Sequence, residues 1–147
     1  MVEEVIPMTS LDDFNITVDI PIAWGDMDAL KHVNNTKFFK YCETARIKYF
    51  EHAGFIETIE KDSIGPILST TSCKFIKPLF YPDIVTVGTR VTSIEQDNFM
   101  MGHIIVSKSH GIAALGEDKL VVYDYKSSKK TDLPDIVRNK IREIDSI

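Results

Sequence analysis

One change of hydrophobic period limits the folds open to this chain more than any other feature. From Thr36 to Ala53 the apolar side chains recur at Phe38, Cys42, Ala45, Tyr49 and Ala53, with Tyr41 at the neighbouring helical position. Spacings of three and four predict one amphipathic helix over 36–53, roughly 27 Å long. Phe39, Ile47 and Phe50 widen the apolar face, so the helix is expected to be covered on most sides. Asn34, Asn35 and Thr36 are its candidate N-caps, and Gly54 is its natural stop.

Most of the chain outside that helix follows the period of a strand. Asn15–Trp24 alternates in part, through Ile16, Val18, Ile20, Ile22 and Trp24, and Pro21 assigns part of it to an edge or a bulge. After a loop through Gly65 and Pro66, further strands are expected at 67–77, Asp83–Glu95, Phe99–Lys108 and Ile112–Tyr125. Turn residues at Pro78 to Pro82, Gln96-Asp97-Asn98 and Ser109-His110-Gly111 separate them, and Gly116 reads as a bulge. Asp135–Ile144 is a weaker helix with Pro134 near its first turn. Residues 1–14 read as a loose leader.

Short turns between consecutive strands mean antiparallel pairing. One wide-faced helix beside one antiparallel sheet is an α+β architecture in which the sheet wraps the helix. The whole chain, 1–147, is expected to form a single domain. Such a sheet leaves edges open, so a homodimer or homotetramer is expected.

Charge narrows the partners. The formal net charge is −5, which disfavours wrapping a nucleic acid. No apolar run approaches the ~20 residues of a membrane span, and the acidic N-terminus lacks a secretory signal pattern, so a cytoplasmic protein is expected. Cys42 and Cys73 read as reduced core residues.

Chemistry concentrates where the first strand meets the long helix, in Trp24-Gly25-Asp26-Met27-Asp28-Ala29-Leu30-Lys31-His32-Val33-Asn34-Asn35. Two carboxylates, a histidine and two amides precede a helix N-terminus, whose free N–H groups suit polarising a carbonyl as it becomes an oxyanion. A carboxylate facing that point can activate water or attack directly. The plainer roles are Asx turns for Asp26 and Asp28, a loop position for His32 and N-capping for Asn34 or Asn35. A metal at Asp26, Asp28 and His32 lacks further nearby ligands, and no phosphate loop or nucleophile elbow is present, so no metal or cofactor is expected.

The segment 24–46 resembles the 4-hydroxybenzoyl-CoA thioesterase branch of the hotdog superfamily. The resemblance rests on Gly-Asp-Met-Asp at 25–28, His-Val-Asn-Asn at 32–35 and Tyr-Cys-Glu-Thr-Ala-Arg at 41–46. It continues in Pro-Leu-Phe-Tyr-Pro-Asp at 78–83, Val-Val-Tyr-Asp at 121–124 and Leu133-Pro134. It implies a hotdog fold and hydrolysis of an acyl-CoA thioester. It makes Asp28 the catalytic carboxylate and gives Asn35 the amide that polarises the thioester carbonyl. His32, Asn34, Thr36 and Glu43 become candidate substrate contacts. Lys31 departs from the Gly common at its position, and Phe38 from the Tyr common at its own. Glu43 has a plainer role in pairing with Arg46 at i+3.

The phosphates of coenzyme A need cations. The candidates are Lys74, Lys77, Arg90, Lys108, Lys126, Lys129 and Lys130, of which Lys126, Lys129 and Lys130 are favoured because they follow the last strand and form the densest basic cluster outside the C-terminal helix, within a basic run over 126–142. The same run suits docking an acidic acyl carrier protein, which keeps an acyl-carrier thioesterase as an alternative. A non-catalytic acyl-CoA-binding module is the other.

Overall fold

The computed structural model describes residues 9–147, and it puts the long helix where the period predicts it. Helix α1 spans Asn35–Ala53. Asn34 is its N-cap, the side-chain oxygen accepting the Thr36 N–H at 3.0 Å. Gly54 closes it at φ 89°, a left-handed conformation that glycine adopts without strain.

The strands are β1 (Ile16–Pro21), β2 (Ile64–Phe75), β3 (Ile84–Ile94), β4 (Asn98–Ser107) and β5 (Gly111–Asp124). They form one antiparallel sheet in the order β1-β3-β4-β5-β2, and a two-residue β6 (Lys129–Lys130) adds to β5. The sheet curls around α1, the hotdog arrangement of an α+β protein. Two clusters fill the interface. Phe38, Tyr41, Cys42 and Ala45 of α1 pack on Val85, Val87, Ile105, Ala113 and Ala114, while Tyr49 and Ala53 pack on Phe99, Met101, Leu120 and Val122. Helix α3 (Asp135–Asp145) closes the second cluster with Val137 and Ile141.

Four expectations need correction. Gly116 is no bulge, since it pairs in register with His103 and Cys73. A Cβ there would lie 3.4 Å from Cys42 Sγ and from the His103 ring, so the glycine lets α1 approach the sheet. The register shifts fall elsewhere, between Val91 and Ser93 of β3, between Ile105 and Val106 of β4 where it faces β5, and between Leu68 and Thr70 of β2. The expected loop before Gly65 holds a second helix, α2 (Phe55–Asp62), and β2 begins at Ile64 rather than 67. Pro66 is tolerated because β2 is an outer strand. The leader expected at 1–14 lies outside the described residues up to position 8. Its last part is ordered: Ser10 caps a one-turn 3₁₀ helix at Leu11–Asp13, and buried Phe14 lies under the Arg90 guanidinium.

Candidate active site

The loop from β1 to α1 is pinned at both ends. Asp26 Oδ2 accepts the Ala23 N–H at 3.0 Å and the Tyr41 hydroxyl at 2.8 Å. Its backbone carbonyl accepts the Asn34 N–H at 2.9 Å. Burial first, and then the Asp26 carboxylate, push the Tyr41 phenol well above its ordinary range. Asp26 therefore clamps the loop onto α1. Asp26→Asn weakens a half-buried charge-assisted bond, and a stability loss of about 1–3 kcal/mol in urea unfolding is expected. If Asp28 is the catalytic carboxylate that the resemblance implies, Asp26→Asn should cost far less turnover than Asp28→Asn, and the reverse ranking would point to Asp26.

Between the two ends the loop folds back on itself. Met27 bridges Val33, the Asp28 N–H donates to the His32 carbonyl at 2.8 Å, and the Val33 N–H donates to the Leu79 carbonyl at 2.9 Å. Lys31 takes the tight position at φ 63°, the left-handed conformation for which the related pattern uses Gly. Asp28 makes the Asx turn its type allows, Oδ1 accepting the Leu30 N–H at 2.8 Å. Its other oxygen has no partner among the described residues.

Asp28, His32 and Asn35 wall a single cleft of about 360 Å³, together with Phe38, Phe75 and Lys77. Three of the residues singled out in the sequence thus come together. His32 stands edge-on to Phe80, centroids 5.2 Å apart. The Thr36 and Lys37 amides are satisfied by the side chain and carbonyl of Asn34. The Asn35 amide has no partner among the described residues, which leaves a free donor at the positive end of α1. Phe38, with no hydroxyl, supplies only an apolar wall.

The remaining candidates lie elsewhere. Asn34 uses its side-chain oxygen as the cap, for both the N–H and the hydroxyl of Thr36. Thr36 and Glu43 line a second cavity farther along α1. Glu43 does not pair with Arg46: its carboxylate meets Lys40 Nζ at 2.8 Å, and that hydrogen bond is the main reason its pKa is lowered. Lys126, Lys129 and Lys130 follow the end of β5 that lies opposite Ile64, whereas the cleft adjoins the Phe75 end, opposite Ala114. About ten residues of strand separate those ends, roughly 33 Å. Within one chain these lysines stand far from Asp28.

Arg46 turns instead into the helix–sheet interface, where its Nη1 meets Asp118 Oδ2 at 2.8 Å. His103 Nε2 lies 2.5 Å from the same oxygen, and the Thr71 hydroxyl donates to Oδ1 at 2.6 Å. Asp118 and His103 are only 1% and 2% exposed. This cluster has no counterpart among the residues singled out in the sequence, although a signal is present there. His103 and Asp118 occupy the inward phase of strands whose other inward residues, such as Met101, Ile105 and Leu120, are apolar. A polar residue in that phase must find a buried partner. Among the described residues no cluster of His, Cys, Asp and Glu could hold a metal ion, and no helix is long and apolar enough to cross a membrane.

A sheet curled on one long helix, with a carboxylate loop meeting the N-terminus of that helix, is the architecture of a hotdog thioesterase. The chain belongs to the thioesterase-like superfamily, whose family model matches residues 22–141. It is 31% identical to a thioesterase candidate from Pseudomonas aeruginosa, covering 87% of this chain and 98% of that one, with a TM-score of 0.78. A thioesterase from Thermus thermophilus, solved with coenzyme A and zinc, is 26% identical over 92% of this chain and 98% of its own, with a TM-score of 0.80. An esterase candidate from Aquifex aeolicus is 24% identical over 123 residues, which is 83% of this chain and 94% of the relative.

Proposed function

We propose that this protein hydrolyses an acyl thioester of coenzyme A, with Asp28 as its catalytic carboxylate and the Asn35 amide as its carbonyl-polarising donor. One observation carries the reading: a carboxylate with a free oxygen and an unpartnered helix N-terminal amide wall the same cleft. The coenzyme A held by the Thermus thermophilus relative supports the substrate class.

The thioester carbonyl oxygen sits at the Asn35 N–H, where the α1 dipole favours growing negative charge. Asp28 takes a proton from water as the water oxygen bonds to the carbonyl carbon. The carbon–sulfur bond then breaks, and the departing thiolate recovers the proton. In the nucleophilic variant Asp28 attacks the carbon itself, and water cleaves the resulting anhydride at the Asp28 carboxyl. Repeated turnover in ¹⁸O water separates the two, since only the second puts label into Asp28. The basic test is release of free thiol from a panel of acyl-CoA esters. No release from any of them would sink the proposal.

In this reading Lys126, Lys129 and Lys130 reach the nucleotide end of the substrate only from a partner copy. β2 is an outer strand whose free edge carries exposed Ile67, Leu68 and Phe75. Two copies pairing antiparallel through β2 would set the Ile64 end of one beside the Phe75 end of the other. The Lys126–Lys130 hairpin of the second copy then flanks the cleft of the first. Replacing Lys126, Lys129 and Lys130 by Ala should raise KM for acyl-CoA and flatten its salt dependence, with kcat nearly unchanged. An acyl-pantetheine, lacking the nucleotide, should not respond. An unchanged KM for acyl-CoA would make the hairpin only a solvated tail.

A further inference from the structure

We propose that the loops around Trp24 dock on an anionic lipid surface, with Trp24 seated in the headgroup layer and Lys108 on the lipid phosphates. The proposal stands apart from the hydrolase reading and concerns a face of the molecule that the reaction does not use.

β1, β3 and β4 meet at one end of the sheet, where Pro21, Ile22, Tyr81, Pro82, Ile84 and Lys108 line a shallow groove of about 490 Å³. The Ile22 N–H donates to the Asp83 carbonyl at 2.9 Å, and Trp24 follows two residues later in a one-turn 3₁₀ helix. Trp24 is 74% exposed, and Tyr81, Ile84 and Phe80 are exposed as well. Three aromatic rings and one branched aliphatic side chain are thus left in water on adjoining loops. An apolar patch of this kind marks a docking site. The groove lies by β1, at the opposite end of the strand order from β2, so pairing through β2 leaves it free. Phe80 stands edge-on to His32, a wall of the catalytic cleft, which brings the cleft close to whatever the patch docks on.

A protein partner needs more than this patch offers. A stable protein interface takes about 20–30 residues a side, and the groove with its rim supplies far fewer. Nor does β1 invite a partner's strand. Pro21 ends it without an N–H, and Lys48 Nζ already occupies the Thr17 carbonyl at 2.7 Å. A lipid surface needs only a few side chains of the right kind. Tryptophan and tyrosine join a flat apolar body to a polar tip, which suits the headgroup layer. The charges suit an anionic surface. Asp83 accepts from the Ser107 and Ser109 hydroxyls and the Ile84 N–H, and Asp26 from the Ala23 N–H and the Tyr41 hydroxyl, so both carboxylates are engaged within their own loops. Asp28 faces the cleft. Lys108 in the groove and Lys31 on the neighbouring loop carry no ion pair among the described residues. A chain of formal charge −5 meets an anionic surface only with such cations toward it, which fixes the docked orientation.

Trp24 is the only tryptophan of the chain, so the emission of the wild-type protein reports docking directly. On vesicles of phosphatidylcholine mixed with phosphatidylglycerol that emission should shift to the blue and be quenched by brominated acyl chains, and added salt should reverse both. Lys108→Gln should weaken vesicle binding about fivefold, the weight of one cation near such a surface. Trp24→Ser, read by co-flotation, should weaken it by on the order of tenfold or more. Emission that stays unshifted and unquenched on these vesicles would overturn the proposal. So would equal binding to phosphatidylcholine alone, or co-flotation that Trp24→Ser leaves unchanged. A blue shift that grows with protein concentration in the absence of lipid would put a second copy on the patch and overturn it as well. Every reading is taken without substrate, so none of these outcomes bears on the hydrolase reading.

Discussion

In the proposed mechanism Asp28→Asn should lower kcat by about a hundredfold or more, the scale of a lost general base, with little change in folding. Asn keeps the oxygen that accepts the Leu30 N–H, so the Asx turn survives while the charge is lost. The residue is exposed, and surface changes of this kind stay within roughly 0.5 kcal/mol. Asn35→Pro tests the other half of the site. Proline fits the first position of a helix and removes only the N–H. Asn34, at φ −59° and ψ 136°, already has the extended backbone that a residue before proline requires. Loss of this donor should cost about 10²–10³ in kcat with the helix intact by circular dichroism. Wild-type turnover in either variant would remove that residue from the mechanism.

Asp118→Asn has the largest expected effect on stability. It leaves the Arg46 charge buried without its counter-ion, which costs about 3–5 kcal/mol when one partner of a buried pair is removed. At this chain length that is a fall of roughly 6–20 °C in Tm. The pH dependence follows from the same contacts. Burial pushes the Asp118 carboxyl upward, but the His103 imidazole, the Thr71 hydroxyl and the Arg46 guanidinium outweigh it, and the net shift is downward. A depressed folded-state pKa stabilises the protein above the unfolded value, about 3.9 for Asp, and that stability is lost as pH falls through the folded value. Wild-type protein should lose stability steeply below about pH 4, while Asp118→Asn should show a flatter acid limb. Urea unfolding from pH 3 to pH 7 reads both, and parallel limbs would show that Asp118 carries no such linkage.

Local periodicity alone makes α1 legible: Phe38, Cys42, Ala45, Tyr49 and Ala53 repeat over about four turns, with Asn34 and Gly54 at the ends. α2 is not legible in the same way. Its eight residues give periodicity little room, and the Gly65-Pro66 pair after it has the look of a turn. Pro66 is permitted by its place on an outer strand, which only the sheet order reveals. The same limit governs the site. Asp28, His32 and Asn35 are neighbours in sequence, so their meeting could be anticipated. Arg46 chooses between Glu43, three residues away, and Asp118, seventy-two residues away. Helical spacing favours the first, but a buried carboxylate needs a cation more than an exposed one does. Gly116 carries the same lesson, since its reason lies in Cys42 across the core rather than in its own strand.

In the proposed β2-paired dimer, activity on acyl-CoA becomes a property of concentration. A site that borrows its phosphate contacts from a second copy exists only while the copies are joined, so dilution dismantles the enzyme before it unfolds it. Specific activity on acyl-CoA should then fall as the protein is diluted, while activity on an acyl-pantetheine falls less. Light scattering should follow the same curve from assembly to a species of 16.7 kDa. A monomer that keeps full activity on acyl-CoA would show that β2 remains unpaired in the working protein. In the proposed dimer, by contrast, a cell that makes little of this chain is short of working sites as well as of chains, and the exposed Ile67, Leu68 and Phe75 turn from assembly contacts into a liability for misassociation.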